Sequence, residues 1–177
     1  MRRITIAALS LMTLVLASGL ANAGVRVEQR AWASFSKPSR NGGTTKILVT
    51  ANRYDNIDAG FALSRWSCPD ESEDCKRLPG GIAGDLQGDD IFEIDTTLES
   101  AHLKVTRKGI THEITWTGNG AGSIVNNDFD CNNQVPMGTE TGIARAGAAE
   151  GSVFGTRVQV DSTDPAIVSL RSSAWSC

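Results

Sequence analysis

Apolar and polar side chains alternate with a period of two along several stretches of the chain. In residues 25–36, one face carries Ala31, Ala33 and Phe35, while the opposite face carries mostly charged and hydroxyl side chains. This alternation is typical of a β-strand that buries one face. Trp32 is the exception, because it falls on the polar face of this predicted strand.

The same alternation predicts further strands, which glycine, asparagine, aspartate and proline separate from one another. The predicted strands are 46–54, 60–67, 91–99, 123–129, 153–161 and 166–175, together with a hairpin over 101–116. No stretch of the sequence shows the apolar stripe of an amphipathic helix. About eight or nine short strands predict an all-β fold, a single antiparallel β-sandwich.

The hairpin has a definite register if Lys108 and Gly109 form its two-residue turn. One side then carries the pairs Ala101–Trp116, Leu103–Ile114 and Val105–His112, and the other carries His102–Thr115, Lys104–Glu113 and Thr106–Thr111. Cross-strand energetics favour this arrangement, which separates an apolar side from an opposite-charge pair. We therefore expect His112 and Trp116 to pack in the core and His102 to face solvent.

Residues 137–152 are rich in small side chains and give no clear periodicity. Alanine and glutamate favour a helix in this segment, whereas its four glycines oppose one. We predict an irregular edge strand or a loop.

The first 23 residues have the pattern of a secretory signal peptide. A basic start at residues 1–3 precedes an apolar run over 4–20, and Ala21-Asn22-Ala23 fits the small-x-small cleavage rule. We expect cleavage before Gly24, which leaves a single domain over 24–177. No second apolar stretch follows, so we expect a secreted or periplasmic protein with no membrane attachment after cleavage.

Four cysteines in an exported chain predict two disulfides that cross-link and stabilise the sandwich. Three connectivities exist, and we favour Cys68–Cys75 and Cys131–Cys177. The first would close a short acidic loop, and the second would tie down the C-terminal residue.

The charge of the chain argues against nucleic-acid binding, because 17 basic side chains face 20 acidic ones. The acids are concentrated in residues 67–99, which carry ten acidic and two basic side chains. Asp85, Asp89 and Asp90 flank a glycine, and hard oxygen ligands of this kind suit calcium. Calcium is therefore the candidate cation, with Asp55 or Asp58 as further ligands; the alternative is a solvated loop. No other cofactor is expected.

Catalytic motifs are missing from the sequence, and its two histidines fall on opposite sides of the predicted hairpin. We therefore expect a secreted binding or scaffold domain, rather than an enzyme, that recognises an extracellular protein or glycan. Trp32 and Tyr54 are the candidate contact residues, since an indole beside polar groups stacks on a sugar or anchors an interface. Burial of Trp32 would contradict this expectation.

Two other functions fit the same sequence. A hydrolase of an extracellular polymer would need two carboxylates about 5–10 Å apart in a cleft. An inhibitor or effector would present the Cys68–Cys75 loop, whose disulfide lowers the entropic cost of docking.

Overall fold

The computed structural model describes residues 26–39, 42–55, 58–69, 74–129 and 138–176. Every regular element in these ranges is a β-strand, and none of the described residues forms a helix that would cross a membrane. The strands are β1 (Arg26–Pro38), β2 (Thr44–Tyr54), β3 (Asp58–Cys68), β4 (Lys76–Arg77), β5 (Ile82–Asp85), β6 (Ile91–Ile94), β7 (Ser100–Arg107), β8 (Ile110–Gly118), β9 (Ser123–Phe129), β10 (Gly138–Arg145), β11 (Gly147–Val153), β12 (Thr156–Ser162) and β13 (Val168–Ser176).

These strands form two antiparallel sheets. The large sheet has the order β4-β3-β2-β1-β13-β10-β9, with β5 also paired to β3, and the small sheet has the order β12-β11-β8-β7-β6. The prediction of an all-β, antiparallel fold is therefore confirmed. The predicted number of strands is wrong, because the described residues contain thirteen.

One hydrophobic core takes side chains from both sheets. Ala31, Ala33 and Phe35 of β1 are buried in it, as the alternation predicted. Trp116 of the small sheet is fully buried, and its indole Nε1 donates a hydrogen bond to the backbone oxygen of Trp32 at 3.1 Å. This bond ties the two layers together at the centre of the core.

The hairpin of β7 and β8 has the predicted register, from Ala101 opposite Trp116 to Thr106 opposite Thr111. Lys108 and Gly109 both have positive φ, 52° and 75°, as a type I′ turn requires. His112 is buried, which confirms its predicted core position.

The predicted strand over 91–99 is wrong in its second half, since β6 ends at Ile94. The Asp95 carboxylate accepts a hydrogen bond from the backbone N–H of Thr97 at 3.0 Å, and Leu98 has a φ of 58°. A short acidic side chain that bonds the backbone two residues later forms a turn, and this turn outweighs the alternating pattern.

The predicted strand over 153–161 is confirmed from Thr156 onward as β12, but it begins too early, because a turn separates the end of β11 at Val153 from β12. Phe154 and Gly155 have φ values of 52° and 68° at this turn. An aromatic residue at positive φ is uncommon, and the sequence pattern did not indicate it.

The prediction of an irregular edge or loop at 137–152 is wrong as well. The segment supplies β10 and β11, which both lie inside their sheets. A side chain at Gly142 would collide with the backbone of Ser172, and one at Gly147 would collide with the backbone of Thr117. The glycines therefore permit close approach of neighbouring strands, although they weaken the strand signal.

Cys68 and Cys75 form a disulfide, which confirms the first predicted pairing. Cys131 and Cys177 lie outside the described residues, as does the segment 1–23. The second disulfide and the signal peptide stay predictions.

Candidate functional site

The outward side of the large sheet, here called the aromatic face, carries most of the tryptophan side chains and the tyrosine. Trp32 lies opposite Thr50, Tyr54 opposite Glu28, Trp66 opposite Lys46 and Trp175 opposite Arg26, and all these pairs share one side of the sheet. The aromatic face thus holds three of the four tryptophans and the single tyrosine of the chain. The fourth, Trp116, is the core residue that joins the two sheets.

A shallow pocket of about 380 Å³ lies on the aromatic face beside Trp32. Its lining residues are Arg30, Trp32, Thr50, Pro165, Ala166, Ser169 and Arg171. Trp32 is half-buried, and its indole Nε1 donates a hydrogen bond to the backbone oxygen of Ala166 at 3.0 Å. The indole is therefore fixed in orientation at the pocket wall.

The loop that forms the other wall is ordered by its own hydrogen bonds. The backbone N–H of Ala166 donates to the Asp164 carboxylate at 2.8 Å, and the backbone N–H of Asp164 donates to the Ser162 hydroxyl at 3.0 Å. The backbone N–H of Ser34 on β1 donates a hydrogen bond to the backbone oxygen of Ile167 at 2.8 Å, which attaches the loop to the sheet. A pocket with both walls fixed is preorganised for a ligand.

Arg30 is held by a buried carboxylate next to the pocket. Its Nε and Nη2 atoms both donate to Oε1 of Glu28, at 2.9 and 2.6 Å. Tyr54 lies directly across from Glu28 on β2, on the same side of the sheet. Burial alone would lower the pKa of Arg30, but the Glu28 carboxylate outweighs it and raises that pKa above its ordinary value.

Arg171 has a second buried carboxylate, since it forms an ion pair with Glu140. The Asn127 amide donates to Oε2 of the same carboxylate at 3.1 Å. Burial alone would raise the pKa of Glu140. Hydrogen bonding to neighbouring side chains, among them Asn127, and the charge of the Arg171 guanidinium outweigh burial and lower that pKa, so Glu140 is ionised at neutral pH.

The two arginines lie directly opposite each other on β1 and β13. The side chains of Arg30 and Arg171 are 40% and 25% exposed, whereas those of Glu28 and Glu140 are 3% and 5% exposed. The two guanidiniums are therefore accessible to solvent and ligands, whereas the two carboxylates are buried beneath them.

Of the two predicted contact residues, Trp32 lines the pocket with Arg30, whereas Tyr54 lies outside it, across from the Glu28 that holds Arg30. Sequence reasoning placed Arg30 on the strand of Trp32 but missed the roles of Glu28, Arg171 and Glu140. The only available signal was the period-two position of Glu28 beside Arg30, because β10 and β13 are distant from β1 along the chain.

The predicted calcium ligands occupy different environments. Asp90 accepts two hydrogen bonds from Arg107, at 2.6 and 2.9 Å, and this pairing lowers the pKa of its carboxyl. Asp85 and Asp89 are exposed. Over the described ranges, no three His, Cys, Asp or Glu side chains are grouped so that they would hold a metal ion. Calcium binding stays a prediction.

The outward side of the small sheet, here called the hydroxyl face, has a pocket of about 560 Å³ that includes Glu93, Asp95 and His102. His102 is hydrogen-bonded to Glu113 at 3.0 Å rather than merely solvated. Hydrogen bonds from Thr97 lower the pKa of Asp95. A general acid in glycoside hydrolysis needs a raised pKa, so Asp95 does not have the property of such an acid.

No protein-family model and no curated protein sequence matches the chain. The structure is similar to the crystal structure of a protein from Nitrosomonas europaea provisionally named AttH, with 10% sequence identity and a TM-score of 0.44. The match covers 99% of this chain and 58% of that one, so the chain spans little more than half the length of that protein. This similarity assigns neither a family nor a function.

Proposed function

We propose that the protein is an exported, non-enzymatic binding domain that recognises a glycan through the aromatic face. The observation that carries the proposal is the position of Trp32, which lines an open pocket together with Arg30 and Arg171. The indole is half-buried rather than enclosed, so it remains open to a ligand.

The pocket combines the two kinds of contact that sugars need. The C–H face of a pyranose ring is apolar and packs on an indole, which buries apolar area on a rigid side chain. The ring hydroxyls require hydrogen-bond partners, and Thr50, Ser169 and the two arginines supply them at the pocket edge. An indole fixed by Ala166 makes this contact with little loss of side-chain entropy.

The dimensions of the pocket favour a glycan over a protein partner. A volume of about 380 Å³ is at the lower end of the range of about 300–1,000 Å³ for small-ligand sites. A protein partner would instead fit a broad patch with an apolar centre. Four of the six residues that line the pocket with Trp32 are charged or carry hydroxyl groups, so this position does not resemble such a centre.

Export is part of the proposal because it determines which ligands the protein meets. The Cys68–Cys75 disulfide is typical of an oxidising compartment. The N-terminal pattern of residues 1–23 supports the same location.

Native affinity electrophoresis tests the proposal with the mature chain, residues 24–177. Gels would contain hydroxyethylcellulose, xylan or polygalacturonate, and we expect at least one polymer to retard the protein. Trp32→Ala should abolish the retardation because the stacking surface is lost. Trp32→Phe should retain most of it, since the ring remains although the hydrogen bond to Ala166 is lost. Thermal melts of both variants check that they fold.

Two outcomes would contradict the proposal. One is a folded Trp32→Ala variant that is retarded as strongly as the wild type. The other is no retardation by any polymer in the series. Release of reducing ends from a retarding polymer would instead favour the hydrolase alternative.

A further inference from the structure

We propose that the pocket is selective for a carboxylate-bearing sugar, a uronic acid, whose carboxylate is bound between Arg30 and Arg171. This inference rests on the proposed glycan-binding function and specifies its ligand class. The ring of the sugar would lie on Trp32, and its carboxylate would face the guanidiniums.

The opposed arginines are the first reason. Like charges directly across an antiparallel pair destabilise a sheet. Arg30 and Arg171 nevertheless occupy such a pair at its centre, on the adjacent strands β1 and β13. Each guanidinium has its own buried carboxylate, which makes the arrangement tolerable. An anion between the two would remove the remaining repulsion.

Unused donors are the second reason. A guanidinium carries five N–H groups, and Arg30 directs only its Nε and Nη2 atoms to Glu28. The Nη1 group of Arg30 is not used by Glu28. Arginine binds carboxylates through two parallel hydrogen bonds, which add both affinity and orientation. The buried glutamates hold the guanidiniums in place, so little side-chain entropy is lost on binding.

The distribution of charge is the third reason. Residues 24–66 carry seven basic and three acidic side chains, although the whole chain has a net charge of −3. This basic part forms β1, β2 and most of β3, beside which β13 brings Arg171. The acidic residues 67–99 lie in β4, β5, β6 and the adjoining loops. On the aromatic face, this part places Arg26, Arg30 and Lys46 on the same side as Arg171, and the carboxylates nearest the pocket, Glu28 and Glu140, are buried beneath their arginines.

Two polymers with the same sugar backbone, one carrying free carboxylates and one with these blocked as methyl esters, test the inference. Polygalacturonate carries a carboxylate on each sugar, and its fully methyl-esterified form carries none. Affinity electrophoresis at low salt should show the acidic polymer binding the wild-type protein about tenfold or more tightly, as expected for charge-assisted hydrogen bonds. The preference should decrease as salt is added.

Paired substitutions remove one guanidinium without leaving a buried charge. Glu28→Met with Arg30→Met, and Glu140→Met with Arg171→Met, each preserve the net charge, and apolar replacement of both ions is commonly neutral for stability. Each double variant should lose most of the preference for the acidic polymer but still bind the ester through Trp32. The control is Lys104→Met with Glu113→Met on the hydroxyl face, which should keep the full preference.

The possible outcomes distinguish failure of the uronate assignment from failure of the proposed glycan-binding function. Equal binding of the acid and its ester by the wild type would overturn the uronate assignment and leave glycan binding intact. Retention of the preference in both folded double variants would overturn the role of the arginines. Binding of neither form, together with no retardation by hydroxyethylcellulose or xylan, would overturn the proposed function itself.

Discussion

The two outward faces of the molecule differ although the same alternation produces both. On the aromatic face, Glu28, Glu140 and Ser173 are buried, and Trp32 and Arg171 are half-buried. On the hydroxyl face the outward residues are mostly exposed; they include Lys104, Thr106, Thr111, Glu113, Thr115 and Thr117. A polar position in an alternating strand is therefore not necessarily a solvated position.

The cause of the difference is the size and pairing of the side chains. Arginine and aromatic groups lie over shorter neighbours and exclude water from them, as long amphipathic side chains do. Carboxylates covered in this way are tolerated only when they are paired. The threonine and lysine side chains on the hydroxyl face are too short or too exposed to cover one another, although Thr106 and Thr111 share a hydrogen bond. The aromatic face is consequently ordered in a way that suits ligand binding.

The largest difference in stability between the two faces is expected when the carboxylate of Glu140 on the aromatic face and that of Glu113 on the hydroxyl face are each neutralised. Glu140→Gln leaves Arg171 without its ion-pair partner, and we expect a loss of about 2–3 kcal/mol in the free energy of unfolding, below the full cost for a buried pair because Arg171 is partly exposed. Glu113→Gln removes an exposed contact with His102, and we expect a loss of about 0.5 kcal/mol or less. Urea unfolding at pH 7 measures both.

The pH dependence of the Glu140→Gln effect provides a second check. A carboxyl whose pKa is lowered on folding stabilises the native state above its unfolded pKa, and this stabilisation is lost as the pH falls. The difference between wild type and Glu140→Gln should therefore shrink below about pH 4.5, near the ordinary glutamate value. A difference that is independent of pH, or equal losses from both substitutions, would contradict the contrast between the faces.

An intermediate effect is expected from the histidines of the β7–β8 hairpin. His112 is buried and its Nδ1 accepts the backbone N–H of Phe154 at 3.0 Å, whereas His102 lies on the hydroxyl face. Burial, with the charge of Arg107, lowers the pKa of His112. Below about pH 6.5 the unfolded chain therefore takes up a proton that the native state does not. As the pH is lowered, the free energy of unfolding should decrease by at most about 1.4 kcal/mol per pH unit.

Urea midpoints between pH 7.5 and 5.5 measure this effect. His112→Phe should flatten the dependence, even if it lowers stability by removing the acceptor for Phe154. A slope that persists undiminished in the folded His112→Phe variant would contradict the assignment to His112.

The smallest effect is expected from the hydroxyl face itself. Lys104 lies opposite Glu113, but the described contacts pair Glu113 with His102. Lys104→Ala should change the free energy of unfolding by about 0.5 kcal/mol or less, as for other exposed charges. Thermal melts at low and high salt would detect a larger contribution, which would show that this face also depends on its ion pairs.

Local patterns were sufficient for elements whose determinants lie close together in the chain. The register of the β7–β8 hairpin followed from pairs on either side of Lys108 and Gly109, and the Cys68–Cys75 disulfide followed from a separation of seven residues. The turn at Asp95 and the strand β10 were missed, because a side-chain hydrogen bond in one and close packing at Gly142 in the other outweigh alternation.

The sequence by itself determined the β-class of the fold, the inward position of Phe35 and Trp116, and the outward position of Trp32. These follow from the period-two geometry of a strand, which fixes the side of every residue. Only the tertiary structure decided that Arg171 faces Arg30 and that Glu140 lies beneath Arg171. Pairing between β1 and β13 joins residues far apart in the chain, and no local periodicity encodes which strands become neighbours.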